Sequence, residues 1–172
     1  MFEIKHIHGL LKPFTNYDII IGGTDYKADF VKGVAIASLV NSQILTSQSK
    51  EWLPIEKSEL ANIRESSLIQ WNFQLDFYKR NDENVETIQA FNEAIKVREC
   101  LKGLDCYDFL KALDSEILPN YSIIQFTTEA VDNKIINRAF FEFSIISRFE
   151  IFESDSKLEN VTISNEILSQ GE

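Results

Sequence analysis

Two histidines, two cysteines, three prolines and one methionine leave this chain little of the usual material for catalysis or cross-linking. His6 and His8 are the only imidazoles, and Glu3 is the carboxylate beside them, whereas a metal centre takes three or four ligands. A Ser-His-Asp or Cys-His nucleophile would have to recruit one of these two rings. Cys100 and Cys106 form no Cys-x-x-Cys pair and have no histidine near them in sequence, so they read as small, reduced apolar fillers. Gly22-Gly23 lacks the downstream Gly and Lys-Ser/Thr of a phosphate-cradling loop and reads as a turn. No catalytic, cofactor-binding or metal-binding residue is assigned on this basis, and no cofactor is expected.

Long apolar runs are also missing: no stretch approaches the ~18–20 residues of a membrane helix. Phe2, Glu3 and Lys5 after Met1 do not make a secretory signal, so a cytosolic origin is expected. Basic residues are in deficit, 17 against 27 acids, for a net charge of −10. Broad phosphate binding needs the opposite balance, so neither sequence-specific nucleic-acid binding nor an anionic membrane partner is expected. An acidic wall suits a conduit that lets DNA pass without holding it.

What the chain does have is pattern. With 44% hydrophobic residues and 13 Phe among 172, it can fill the core of one domain. Ile69, Trp71, Phe73, Leu75 and Phe77 alternate with Gln70, Asn72, Gln74, Asp76 and Tyr78, which predicts a half-buried strand over Leu68–Tyr78. Val85, Ile88, Phe91 and Ile95, widened by Ala94, Val97 and Leu101, predict an amphipathic helix over Val85–Leu101. Asn81, Asp82 or Asn84 would cap it, with Gly103 past its end. Phe109, Leu110, Leu113 and Ile117 predict a second helix over Asp105–Ile117, capped by Asp105 and closed by Pro119.

Tyr121–Ala130 reads as a strand and Asp132-Asn133-Lys134 as a hairpin turn. Ile135–Phe152 is a second long strand with Ala139, Phe141, Phe143, Ile145, Phe149 and Ile151 on one face. Phe140, Ile146 and Phe152 interrupt its otherwise polar second face and are the candidate subunit interface. Near the N-terminus, Phe2–Leu11 has helical spacing, Tyr17–Ile21 is a short apolar run, and Val34–Leu45 reads as extended. The polar segment 47–65, with Pro54, reads as a long connection. Residues 153–172 form an acidic tail, five acids to one base, within which Val161-Thr162-Ile163 could make a short strand. The expected organisation is a single α/β (α+β) domain over 1–152, a mainly antiparallel sheet with two helices on one face, followed by that tail.

Carboxylates are plentiful but not grouped. Asp76 and Glu142 would form an acid/base pair if their strands were neighbours, but solvated acidic faces make such coincidences common. Arg148 on the same face would more simply pair with Glu150 or Asp76.

The order of parts from Glu65 to Ile151, and in particular Gln74-Leu75-Asp76-Phe77-Tyr78 in the strand before the helix, resembles the phage neck or tail terminator family. That resemblance implies a tail-terminator-like fold and a structural, non-enzymatic virion protein. It implies a homo-oligomeric ring, a hexamer, at the head-proximal end of the tail, ending tube growth. The implied partners are copies of itself, the tail tube and the head connector, with no catalytic residue carried over. A small cytosolic α/β enzyme and an acidic inhibitor module are the alternatives that composition leaves open.

Overall fold

Large apolar side chains at odd-numbered positions of two long strands decide where the rest of the chain lies. The computed structural model describes residues 2–22, 29–45, 49–53, 62–80, 88–131 and 134–154. Within them the order is α1 (His6–Leu11), β1 (Asp18–Ile21), β2 (Val34–Ile44), β3 (Ser49–Leu53), β4 (Asn62–Arg80), α2 (Gln89–Cys100), α3 (Leu104–Lys111), β5 (Ser115–Leu118), β6 (Gln125–Val131) and β7 (Lys134–Ser154). No helix among the described residues is long and apolar enough to cross a membrane.

The strands form one mixed sheet in the order β1-β2-β4-β7-β5, with β3 also on β4 and β6 also on β7. Only β1 and β2 are parallel among the registered pairs, from Asp18↔Val34 to Ile21↔Ala37. On the central pair, Trp71 meets Ser147, Phe73 stacks on Phe143 and Phe77 stacks on Phe141. Residue numbers rise on β4 as they fall on β7, so these two run antiparallel. This is the expected α+β sheet.

Ala35 and Ala37 of β2, Phe73, Leu75 and Phe77 of β4, and Ala139, Phe141, Phe143 and Ile145 of β7 share one buried cluster. Period-two alternation puts them all on one face. The same cluster takes Ile7, Leu10 and Leu11 from α1, Ala90, Ala94 and Val97 from α2, and Cys106 and Leu110 from α3. The layer therefore contains three helices where two were expected, because the N-terminal helix docks beside the pair. Gly9 faces α3, where a Cβ would meet the Phe109 ring at 3.4 Å, an ordinary van der Waals contact. Gly33, at φ +97, brings β2 in beneath Tyr17, whose ring a Cβ would meet at 2.7 Å.

Three expectations need correction. The second helix does not reach Ile117: it ends at Lys111, Asp114 takes a positive φ of 51, and Ser115–Leu118 pairs with β7. Leu113 and Ile117 satisfy a helical spacing, but Ile117 opposite Ile145 in the sheet buries the same surface and saturates the backbone as well. Gly103 is the N-cap of α3 rather than a C-terminal glycine of α2, and Asp105 lies in the first turn of α3 instead of capping it. The first helical residues expected from Val85, and the caps at 81, 82 and 84, lie outside the described residues.

The chain divides into two compact units, Met1–Leu45 with Leu68–Arg148, and Thr46–Ser67 with Phe149–Glu172. All the core residues above belong to the first. In the second, β3 pairs with the beginning of β4 from Ser49↔Ser66 to Leu53↔Asn62. The connection expected over 47–65 thus holds two arms of paired strand, since backbone pairing does not need the dense apolar anchors that this segment lacks. Residues 54–61 and the tail from 155 lie outside the described residues, as does the Val161-Thr162-Ile163 segment.

β5 and β6 both lie along β7, interrupted by Pro119–Ile124. Register runs from Leu118↔Ser144 to Gln125↔Phe140, so the edge chain spends seven residues where β7 spends four. Pro119 lacks an amide hydrogen, and the detour is tied back by the Ser122 N–H donating to the Glu142 carbonyl at 3.0 Å and the Glu142 N–H donating to Ser122 Oγ at 2.7 Å.

Phe73→Ala and Phe143→Ala should each cost about 3–5 kcal/mol in chemical denaturation, because both rings are buried and 5.6 Å apart. The double variant should cost less than the sum, since each single change already forfeits the shared stack. Burial also pushes the Cys106 thiol up to about 11. It pushes the Tyr17 and Tyr121 phenols up to about 12, with Glu93 adding at Tyr17, and Cys106 and Glu99 at Tyr121. These groups stay protonated in the native state where the unfolded chain has begun to ionise. Their stabilising contribution is whole below about pH 8.5 and is lost as pH rises through about 11 to 12. Denaturation midpoints should fall across that window, and Cys106→Ala should remove the earliest part of the fall.

Candidate functional site

A one-residue irregularity in β2 sets the character of the sheet's second face. Leu39 pairs with Phe73 and Asn41 with Asn72, so Val40 is an extra residue and the register shifts. Before it, odd residues Ala35 and Ala37 face the core. After it, Asn41 and Gln43 lie opposite Asn72 and Gln70. Strict alternation would have driven two carboxamides toward the helices, and the bulge turns both to the other side.

There they join a continuous hydrogen-bonded layer. Gln43 Nε2 donates to Gln70 Oε1 at 3.2 Å, and Gln70 Nε2 donates to Asn72 Oδ1 at 2.7 Å and Ser144 Oγ at 3.4 Å. Asn72 Nδ2 donates to Asn41 Oδ1, and Ser144 Oγ donates to Asn72 Oδ1 at 2.6 Å. Asn120 Nδ2, carried by the detour between β5 and β6, donates to Ser144 Oγ at 3.2 Å. Residues from β2, β4, β7 and the edge chain are thereby locked across the sheet, and Ser144 is buried beneath its partners.

One end of this layer is charged. Arg138 Nη2 lies 2.7 Å from Asp76 Oδ1 and its Nε donates to the same oxygen at 2.9 Å, while Gln74 Nε2 donates to Asp76 Oδ2 at 2.9 Å. The guanidinium stands 4.6 Å from the Phe140 ring centre and 5.7 Å from that of Tyr78, with Glu129 at 3.5 Å. Partial burial works against its charge, but the hydrogen bond and charge of Asp76 outweigh this, and Tyr78 and Glu129 add to them. Its pKa is therefore held above the ordinary guanidinium value. Burial, then the Asp76 charge, raises the Tyr78 phenol.

The carboxylate pairing weighed from the sequence does not form. Asp76 is neutralised by Arg138, whereas Glu142 is exposed and anchored through its backbone to Ser122. Of the two partners expected for Arg148, Asp76 is taken by Arg138, and the side chain of Glu150 lies outside the described residues. Arg148 lines a shallow groove of about 430 Å³ with Leu68, Tyr107, Lys111, Glu116 and Ile146. His6 accepts a hydrogen bond from the Glu3 N–H on Nδ1 at 2.9 Å, in the turn that opens α1. Cys100 and Cys106 are both free thiols.

Of the candidate interface residues, Phe140 and Ile146 are both half-buried on the second face. Six residues of strand separate them, roughly 20 Å at the usual rise. They do not make one patch: Phe140 stacks under Arg138, and Ile146 sits in the groove with Arg148. The side chain of Phe152 lies outside the described residues. The amide layer is what sequence pattern passed over. The alternation on β4 put Gln70, Asn72 and Gln74 on one face, but nothing local in β2 says that Asn41 and Gln43 cross to meet them.

Arg138→Leu should cost about 2–3 kcal/mol, below the usual range for a fully buried pair because the guanidinium is 26% exposed, while Asp76, at 7%, loses its counter-charge. The Asp76→Leu/Arg138→Leu double variant should recover most of that loss in urea melts. Additive losses would mean that the two groups do not compensate each other.

No protein-family model and no curated protein sequence matches the chain. Among solved structures, the sheath/tube terminator of an extracellular contractile injection system, the PVC in its extended state, superposes with a TM-score of 0.45 at 11% identity. The match covers 87% of this chain and 56% of that one, so this chain spans little more than half the length of that terminator.

Proposed function

We propose that this chain is a non-enzymatic structural subunit of a phage-type tail, working in the manner of a neck or tail terminator. In this reading copies close into a ring of six at the head-proximal end, stop tube growth and join the tail to the head connector. The observation that carries it is the second face of the sheet. Three helices pack on the first face, whereas the second presents a layer of amide and hydroxyl groups already hydrogen-bonded to one another. Side chains ordered in advance lose little further freedom on docking, which is how a rigid polar face recognises another protein surface.

The strand bearing Gln74-Leu75-Asp76-Phe77-Tyr78, the amphipathic helix after it and the hairpin β6–β7 follow in the order on which the family resemblance rests. Net charge supports the conduit part of the proposal: at −10 a ring of such subunits repels the phosphates of passing DNA.

A phage or prophage lacking this protein should make tail tubes of uncontrolled length, seen by electron microscopy, with normal length restored on complementation. Tubes of normal length in its absence would overturn the terminator reading. Duplex DNA should show no salt-sensitive affinity for the purified protein at physiological salt.

A further inference from the structure

The registered pairing of β1 with β2 stops at Ile21↔Ala37. From Ser38 to Ile44, β2 pairs with β4 on one side and with no strand on the other among the described residues. Open strand edges invite pairing with another chain, and proteins commonly blunt them with charge or proline. Ser38–Leu45 contains neither, and its one irregularity is the bulge at Val40. Leu39, Val40, Ile44 and Leu45 are 36, 53, 67 and 41% exposed, two apolar pairs flanking Asn41-Ser42-Gln43 on the outermost described strand of this stretch in a strongly acidic protein.

We infer that this edge accepts residues 160–165 of a second copy's C-terminal tail as an added strand. The inference rests on the reading above that the chain acts by assembling. Asn160–Asn165 is an uncharged segment between Glu159 and Glu166, in a tail that otherwise carries a net charge of −4. Val161, Thr162 and Ile163 are β-branched, and Val161 and Ile163 alternate with Thr162 and Ser164, the pattern of a strand with one apolar face. An uncharged segment meeting an uncharged edge avoids the repulsion that two acidic surfaces would incur.

Residues 155–159 separate the end of β7 at Ser154 from Asn160, a tether that extended reaches roughly 20 Å. A head-to-tail ring needs two different, mutually complementary patches on every subunit, and an edge with a tail strand supplies such a pair.

Hydrogen exchange on the full-length protein across a dilution series tests this. The amides of Ser38–Ile44 should exchange about tenfold more slowly at high concentration than at low, as residue pairing converts open edge to ladder. Light scattering should report assembly over the same range. Full-length Ile163→Pro, which removes a ladder donor, and Val161→Asp/Ile163→Asp should abolish both effects. Exchange at Ser38–Ile44 that ignores concentration, or that the tail variants leave unchanged, would overturn the inference. Protection that survives dilution but is lost in the variants would mean that each chain's own tail folds back, and would also overturn it. Ile163→Pro protein that still ends tail tubes at normal length would remove this pairing and leave the terminator reading standing. Concentration-dependent protection alongside unregulated tubes would do the reverse.

Discussion

The antiparallel contact between β4 and β7 is the constraint on which the remaining structure depends. Phe73 on Phe143 and Phe77 on Phe141 are near-parallel stacks, at 25° and 19° between ring planes, and Phe2, Trp71 and Tyr121 lean against the same row. Aromatic pairs across neighbouring strands fix register as well as burying area, because a slip by one residue would send every ring to the opposite face. Once these two strands are in register, the alanines of β2 and α2 have one way to fit. Ala35, Ala37, Ala90 and Ala94 are fully or almost fully buried, and each lets backbone approach the aromatic row closely.

The same register generates the second face. With odd residues committed to the helices, even residues of β4 and β7 must meet on the other side, which brings Asn72 to Ser144 and Asp76 to Arg138. Polar groups removed from water need partners, and here they come both from the same strand, as Gln74 to Asp76, and from strands distant in sequence, as Asn72 to Ser144. The bulge at Val40 extends the network to β2 at the cost of one unpaired residue. Specificity in this sheet thus resides on both faces: ring shape on one, donor and acceptor matching on the other.

How much of this the sequence discloses varies with how local the cause is. Strict alternation over Ile69–Phe77 gave β4 its core face residue by residue, and Ala139 to Ile145 did the same for β7. The stripe ending at Leu101 holds for Ala94, Val97 and Leu101, but Ile88 is exposed, and Ala90, which the stripe omits, is buried. Leu113 and Ile117 misled, because four-residue spacing is compatible with a helix and a strand pair with Ile145 exists only in three dimensions. The strand β3 carries no alternating signal of its own and owes its form to Asn62–Ser66 across from it. The site was half legible: Gln70, Asn72, Gln74 and Asp76 could be grouped on one face, but Arg138 as the partner of Asp76 follows from the β4–β7 register, and Asn41 from a bulge. Both are long-range facts.

Separation along the chain has a further consequence, in time. Trp71 and Ser147 touch across 76 residues, and the two central strands cannot meet until nearly all of the chain between them exists. Contacts this distant in sequence make for slow closure, whereas α2, α3 and the β6–β7 hairpin are assembled from neighbours. On a ribosome adding about 5–20 residues per second, the row of Phe73, Leu75 and Phe77 stands without its partner strand for about four to fifteen seconds after synthesis. During that interval the nascent chain leaves Phe73 and Phe77 without the rings that stack on them in the native sheet. Whatever shields that strand while β7 is being made determines how many of these chains reach the native sheet.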